Sequence, residues 1–207
     1  EMIITHRPVQ HSFRRYVLAL VDGLQVLDLG CAAGNYLELF ERGSVGFDVS
    51  NADVEACKGK GLRVALCEFN RGLASQSDKF DAVLCSHVLE HVNSPINLLK
   101  ECRRVLRGGG LFILGLPFEK TLAGLLGKVR YFKHHEGHLY AFSLENARVL
   151  LQKAGFSAPD IYIEPWPARR LQSLGLLNPA LSVVQWIPET LGLYFSCGIW
   201  LISRKST

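Results

Sequence analysis

The stretch Val26-Leu27-Asp28-Leu29-Gly30-Cys31-Ala32-Ala33-Gly34-Asn35-Tyr36 decides the fold. An apolar run closes around an acid, a glycine-bearing turn follows, and a helix-like segment runs from Tyr36 to Phe40. A short apolar run of this kind suits a parallel strand covered on both faces, and the turn after such a strand is where the sheet takes up a nucleotide. Gly30 and Gly34 let the backbone turn sharply and approach a ligand with no side chain in the way.

Outward from this stretch, strands and helices alternate. An amphipathic helix is expected over residues 11–21. Strands are expected over residues 24–29, 44–48, 62–67, 80–85 and 111–116. Between them lie a crossover helix at 35–41, a helix capped by Ser50 or Asn51 and stopped by Gly59 and Gly61, and a helix opening at Ser94-Pro95. Leu98, Leu99, Cys102, Val105 and Leu106 give that last helix an apolar stripe, and Gly108-Gly109-Gly110 is expected to end it. After Pro117 the regularity weakens. A helix over 143–154 opens on Ser143 with Asn146 three residues on, Gly155 follows it, and two final strands are read at 161–164 and 193–203. Such alternation predicts right-handed crossovers. The expected class is α/β: a Rossmann-like, doubly wound, mostly parallel seven-stranded sheet with helices on both faces and a lid-like insertion. One domain is expected over 1–207, with a ligand-binding core at 24–117 and substrate-side insertions at 118–142 and 165–192.

Composition agrees with a folded domain: 207 residues, 48% hydrophobic and 20% charged. The net charge of +4 and the absence of a basic block give no case for nucleic acid. Cys31, Cys57, Cys67, Cys85, Cys102 and Cys197 form no C-x-x-C pair, and several lie in apolar runs; this suits buried free thiols in a reducing, cytoplasmic setting. The longest apolar run near the end, residues 191–202, is well short of the ~20 residues a membrane span needs.

Which nucleotide the turn takes follows from spacing. A dinucleotide fingerprint, G-x-G-x-x-G, started at Gly30 meets Ala32 and Asn35 where glycines belong. Three successive strands instead end in acids: Asp28, Asp48 and Glu68. Such carboxylates in a cleft can accept hydrogen bonds from ribose hydroxyls or an amino group. Taken alone, strand-end acids are also ordinary helix caps.

The ordered segments Val26–Asn35, Gly46-Phe47-Asp48-Val49-Ser50, Cys67-Glu68-Phe69-Asn70-Arg71-Gly72-Leu73, Phe80–Val92 and Leu106-Arg107-Gly108-Gly109-Gly110 resemble the motifs of class I S-adenosylmethionine (SAM)-dependent methyltransferases. The nearest flavour is the methyltransferase type 11 group, with some likeness to MetW proteins. The resemblance is strong over 24–117 and weaker as far as Phe156. It implies SAM as cofactor and transfer of a methyl group to a small-molecule acceptor. It also implies that Gly30, Cys31, Ala32 and Gly34 hold the methionine part, with Asp28 ordering the loop. Asp48, followed by Val49, would bind the ribose. Glu68 would accept from the adenine amino group, with Phe69 against the ring, and Ser86 and His87 would line the methyl group. The family usually carries glycine where Ala32 stands and more often Asp where Glu68 stands.

Two histidine clusters bear on catalysis. His87-Val88-Leu89-Glu90-His91 matches H-x-x-E-H, but a zinc-protease site needs both histidines on one sustained helix plus a third ligand, and Asn93-Ser94-Pro95 leaves little room for one. No metal is expected. The run His134-His135-Glu136-Gly137-His138 offers His138 as a substrate-facing base, since histidine titrates near neutrality; a metal site is the other functional reading of the cluster, and a solvated lid loop the bland one. The apolar residues of 118–142 and 165–192, among them Tyr131, Trp166 and Trp186, suit an acceptor pocket for an apolar or lipid-like molecule, a homodimer surface, a peripheral membrane contact, or ordinary core under a lid. Two rival functions stand beside methyl transfer: a catalytically silent SAM-binding or partner-binding module, and a nicotinamide oxidoreductase.

Overall fold

The structure is a computed structural model that describes residues 13–117, 137–165 and 196–206. Seven strands form one sheet: β1 (Val26–Leu29), β2 (Val45–Asp48), β3 (Val64–Leu66), β4 (Phe80–Ser86), β5 (Leu106–Pro117), β6 (Asp160–Pro165) and β7 (Ser196–Arg204). Their order is β3-β2-β1-β4-β5-β7-β6, and only the two ladders that involve β7 are antiparallel. The order reverses between β1 and β4, so the crevice at their C-terminal ends is where an open sheet of this kind binds ligands. The expected α/β class, sheet size and mostly parallel sense match this arrangement.

Among the described residues four helices flank the sheet: α1 (Phe13–Leu20), α2 (Asn51–Gly59), α3 (Pro95–Val105) and α4 (Leu144–Lys153). The Ser50 hydroxyl caps α2 by accepting from Asp53 N, and the Ser143 hydroxyl caps α4 by accepting from Asn146 N. One face of the sheet, with Leu27, Val83, Phe112 and Leu114, meets Leu98, Leu99 and Cys102 of α3 and Ala147 and Leu151 of α4. The other face, with Val26, Leu84 and Ile113, meets Val17 and Val21 of the α1 region. Neighbouring residues of β4 therefore bury themselves on opposite faces, which is why its sequence is continuously apolar.

Two expectations change. The crossover after β1 is a single 3-10 turn, Leu37–Leu39, rather than a helix over 35–41. Gly34 and Gly43 leave too short a segment between them, and Phe40 is already extended. The three glycines do not end α3 either. The helix stops at Val105, and β5 begins at Leu106. Phe80 pairs with Leu106 and Ala82 with Leu111, so residues 107–110 bulge out within the strand. Segments 118–136 and 166–195 lie outside the described residues, and with them the lid-like and apolar insertions. No helix among the described residues is long and apolar enough to cross a membrane.

Candidate active site

The turn after β1 is held by its own amides. Gly30 N and Cys31 N donate to Phe47 O at 2.8 and 3.3 Å, and Gly34 N donates to Cys31 O at 2.8 Å. Ala32 N donates to Asp48 Oδ2 at 2.8 Å, while Asp48 Oδ1 accepts from Ser50 N at 2.8 Å. The loop-ordering role that the resemblance gives to Asp28 thus falls to Asp48. The Asp28 carboxylate is buried and makes no hydrogen bond among the described residues; burial, and then the neighbouring Asp48 charge, push it up to about 8. Left-handed backbone explains the residue choices here. Gly30 and Gly34 sit at φ +69° and +83°, and a Cβ on Gly30 would lie 2.5 Å from Val88 Cγ2. Ala32 takes φ +46°, which is why glycine is the commoner residue at its place. Cys31 points inward, since a Cβ on Gly46 would lie 2.7 Å from its Sγ, so only its backbone faces the loop.

Further along the crevice, Glu68 is exposed and caps a 3-10 turn, accepting from Asn70 N and Nδ2 at 3.4 and 3.3 Å. Phe69 is buried in the core, so its ring is not an open face for adenine. The exposed apolar side chains beside Asp48 are Val49 and its β3 partner Leu66, 57% and 55% exposed. Leu66 escapes a motif search because a strand-end leucine looks like any other core residue. Arg14 of α1 escapes it too: its Nη2 donates to Asn35 O at 2.5 Å, and its guanidinium lies 5.8 Å from the Tyr36 ring centroid. Nothing in the spacing of residue 14 shows that α1 folds onto the loop.

The other half of the crevice is built from β4. Ser86 ends the strand opposite Gly115, and His87 follows at φ +54°, its N–H donating to Gly115 O at 3.0 Å. The half-exposed His87 ring stands edge-on to Trp200, 6.2 Å between centroids. Gly115 makes room for Trp200, because a Cβ there would lie 2.4 Å from the indole. His87 Nδ1 is 3.3 Å from Oε1 of Glu90, a carboxylate that is 0% exposed. A half-exposed imidazole beside a buried carboxylate can take a proton from a hydroxyl held against it. Leu89–His91 form a 3-10 turn and no longer helix, so the zinc-protease frame is absent.

The structure brings His138 to this same turn from 51 residues beyond His87 in the numbering of the chain. Leu139 N donates to Glu90 O at 2.7 Å, Tyr140 Oη donates to Asn93 O at 2.9 Å, and His91 Nδ1 donates to Gly137 O at 3.0 Å. The His91 and His138 rings meet edge to face, 4.6 Å between centroids. His134, His135 and Glu136 lie outside the described residues. Cys31, Cys57, Cys67, Cys85 and Cys102 are free and buried, and burial pushes the Cys85 thiol well up, so none of these is a ready nucleophile.

Comparison with known proteins places this geometry. A family model described as a methyltransferase domain matches residues 4–158, well over half of the chain. The ubiquinone biosynthesis O-methyltransferase of Roseobacter denitrificans is 36% identical over 99 residues, 43% of this chain and 39% of that protein. The mitochondrial enzyme of the same name from Rattus norvegicus is 29% identical over 132 residues, 52% of this chain and 38% of that protein. The chain thus spans less than half the length of these curated relatives. Among solved structures, a SAM-dependent methyltransferase from Thermotoga maritima superposes with a TM-score of 0.69 at 21% identity, covering 93% of this chain and 87% of that one. Another from Archaeoglobus fulgidus gives 0.68 at 20% identity, covering 93% and 94%. These two likenesses are of fold. The family itself rests on the matched domain model: the chain belongs to the methyltransferase-domain family.

Proposed function

We propose that the chain transfers a methyl group from SAM to a hydroxyl of a small molecule with an apolar body. The observation that carries the cofactor reading is the direction of the loop amides. Gly30, Cys31, Ala32 and Gly34 all donate to protein acceptors. A loop that cradles a pyrophosphate presents its N–H groups to the ligand. This loop spends three of them on β2 and one on itself, and suits a cationic, amino-bearing ligand rather than an anionic dinucleotide. The residues fit SAM in other respects. Asp48 stands at the strand end with lone pairs left for ribose hydroxyls, and Val49 and Leu66 offer exposed apolar faces to adenine.

The cofactor supplies a methyl carbon already activated by positively charged sulfur, so that an oxygen–carbon bond forms as the carbon–sulfur bond breaks. What remains for the protein is to position the acceptor and take its proton. His87, half-exposed just past β4 and edge-on to Trp200, is the group we assign to receive that proton at Nε2. Hydroxyl as the acceptor atom is supported by the names of the relatives, which are O-methyltransferases of ubiquinone biosynthesis. An apolar acceptor is also favoured by the leucine- and aromatic-rich insertions read in the sequence.

Calorimetric titration with SAM, S-adenosylhomocysteine and NADH in parallel tests the reading. Micromolar binding of the first two, with none of NADH, is expected. Binding of NADH alone would overturn it.

A further inference from the structure

We propose that a cleft at the foot of the sheet, between α3, the end of α4 and the residues after β7, binds the oligophosphate group of a small molecule. The cleft holds about 490 Å³ and is lined by Lys100, Arg103, Arg104, Lys153 and Lys205, with Asp78 as its one acid among the described residues. Both α3 and α4 end there, and β7 runs down to it antiparallel to β5. It therefore lies at the opposite end of the sheet from the cofactor crevice. Trp200 beside His87 and Lys205 in the cleft are five residues apart, about 17 Å of extended chain.

Positive charge is in excess here. Arg104 is fully engaged: Nε and Nη2 donate to the Glu101 carboxylate at 2.8 Å each, and Nη1 and Nη2 donate to Ser75 O and Leu73 O at 2.8 and 3.0 Å. Lys205 Nζ donates to Asp78 Oδ1 at 2.6 Å and to Leu106 O at 2.7 Å. Three cations remain uncompensated. Lys100 and Lys153 are exposed, and neither has a partner among the described residues. Arg103 meets no carboxylate among them: Nε donates to Gly155 O and Nη2 to Ser206 O, both at 3.0 Å, and Nη1 is left over.

Arg103 is held in place before any ligand arrives. Gly155 takes φ +86°, and a Cβ there would lie 2.7 Å from Arg103 Nε, so glycine lets the guanidinium cross the end of α4. Two backbone carbonyls then fix its plane, and less freedom is lost when an anion binds. Serving the last carbonyls of a helix is the ordinary task of cations at such a place. That task accounts for Arg103 Nε but not for the lysines. Lys153 bonds no carbonyl among the described residues, and Lys100 stands five residues before the end of α3. Each helix end brings about half a negative charge, and three full positive charges outweigh both.

The lining selects among anions. No aromatic side chain among the described residues faces the cleft, so nothing there stacks a nucleic-acid base. The cations line a hollow, and no large apolar side chain stands with them, whereas a face that seats on a membrane needs both an apolar and a basic surface. A cleft of this volume takes a small molecule. A guanidinium edge and two separate ammoniums suit an anion whose charge is spread over linked centres. Phosphates joined in series provide it: the Arg103 edge donates to the oxygens of one, and the lysines act as point charges on the next. The site does not depend on the methyl-transfer reading.

The test titrates the whole chain with sodium tripolyphosphate in a calorimeter at about 0.15 M salt, where charges more than about 8 Å apart are screened. One equivalent is expected to bind with a Kd of about 10–100 μM, and inorganic phosphate and citrate at least tenfold more weakly. Lys100→Gln and Lys153→Gln, at exposed positions, should keep the melting temperature and each weaken tripolyphosphate at least threefold; the double variant should weaken it at least tenfold. SAM affinity should be the same with and without tripolyphosphate. ATP in its place identifies the carrier: tighter binding means a nucleoside, equal or weaker binding the phosphate chain alone, and either supports the site. No binding at millimolar tripolyphosphate, citrate equal to tripolyphosphate, an unchanged double variant, or competition with SAM would each overturn the proposal. So would polyglutamate that binds more tightly than tripolyphosphate through the same lysines, since the cleft would then be a face for docking an acidic protein segment.

Discussion

Replacing Asp48 separates a loop-building carboxylate from one that only touches a ligand. Each Asp48 oxygen holds one backbone amide, Ala32 N and Ser50 N, both at 2.8 Å. Hydrogen bonds to a charged acceptor contribute about 1.5–3 kcal/mol each, and water can replace part of what the two part-buried N–H groups lose. The loss is partly offset, because the Asp48 charge is the second cause, after burial, of the raised Asp28 carboxyl. Asp48→Ala should therefore cost about 3 kcal/mol, which for a domain of this size lowers the melting temperature by about 6–12 °C. The offset fixes the sign of a pH effect. Asp28 holds its proton more tightly folded than unfolded, so its contribution is full below the unfolded value of 3.8 and is lost as pH rises towards about 8. Without Asp48 the folded carboxyl sits lower, and the penalty of the substitution should shrink between pH 6 and pH 8. Thermal denaturation of the cofactor-free protein, with SAM titration at pH 7, reads both effects; affinity should fall at least tenfold. An unchanged melting temperature with weakened SAM would mean that Asp48 meets the ribose alone and that the loop stands without it.

Four further outcomes follow from the same geometry. Asp28→Asn should flatten the decline of stability with pH, so that urea unfolding of wild type and variant diverges by about 1 kcal/mol per unit between pH 5 and pH 7; parallel curves would remove Asp28 as the titrating group. Gly30→Ala combines φ +69° with a Cβ 2.5 Å from Val88 Cγ2 and should cost about 2–5 kcal/mol; adding Val88→Ala should restore part of that loss, and no rescue would show that the backbone angle accounts for all of it. Ala32→Gly relieves φ +46° at the expense of chain entropy and should raise stability by about 0.5–1 kcal/mol in calorimetric melting; a lower melting temperature would show that the Ala32 methyl packs usefully. His138→Ala should slow methyl transfer while leaving SAM affinity intact, and equal loss of both would give His138 a structural role.

Legibility in the sequence followed the range of the interactions. Strands β1, β2, β4 and the helices α2, α3 and α4 announce themselves because their signals are local: apolar runs, Ser50 and Ser143 at the caps of α2 and α4, Pro95 in the first turn of α3. The crossover after β1 was less legible because apolar spacing over six residues cannot tell a 3-10 turn from a helix. The glycines at 108–110 look like a helix stop, yet what places them is the pairing of Phe80 with Leu106 and Ala82 with Leu111, which only the sheet defines. The same holds in the site. Gly30, Gly34, Asp48 and His87 lie where strand ends put them. The exchange of roles between Asp28 and Asp48, the burial of Phe69 and the exposure of Leu66 depend on which side of a strand each residue faces beside its neighbours, and motif spacing does not encode that.

The two halves of the crevice are consequently different kinds of structure. The cofactor half is made of consecutive strand ends, and its conformation is fixed by the sheet: the Phe47 carbonyl and Asp48 carboxylate of β2 hold the loop of β1. Its one strained non-glycine residue, Ala32, is tolerated because Asp48 binds its amide. The histidine half is made by docking. His87 takes a left-handed conformation because its N–H is tied to Gly115 O, and Glu90 and His91 meet His138 only once residues 137–140 settle on the turn after β4. A substitution that loosens that segment, such as Tyr140→Phe with loss of the bond to Asn93 O, should leave the SAM site unchanged and weaken whatever depends on His138. The physical reason is that, among the described residues, no hydrogen bond of the glycine loop involves the docked segment. On the proposed assignment, binding of the methyl donor and handling of its acceptor can therefore vary independently on one sheet.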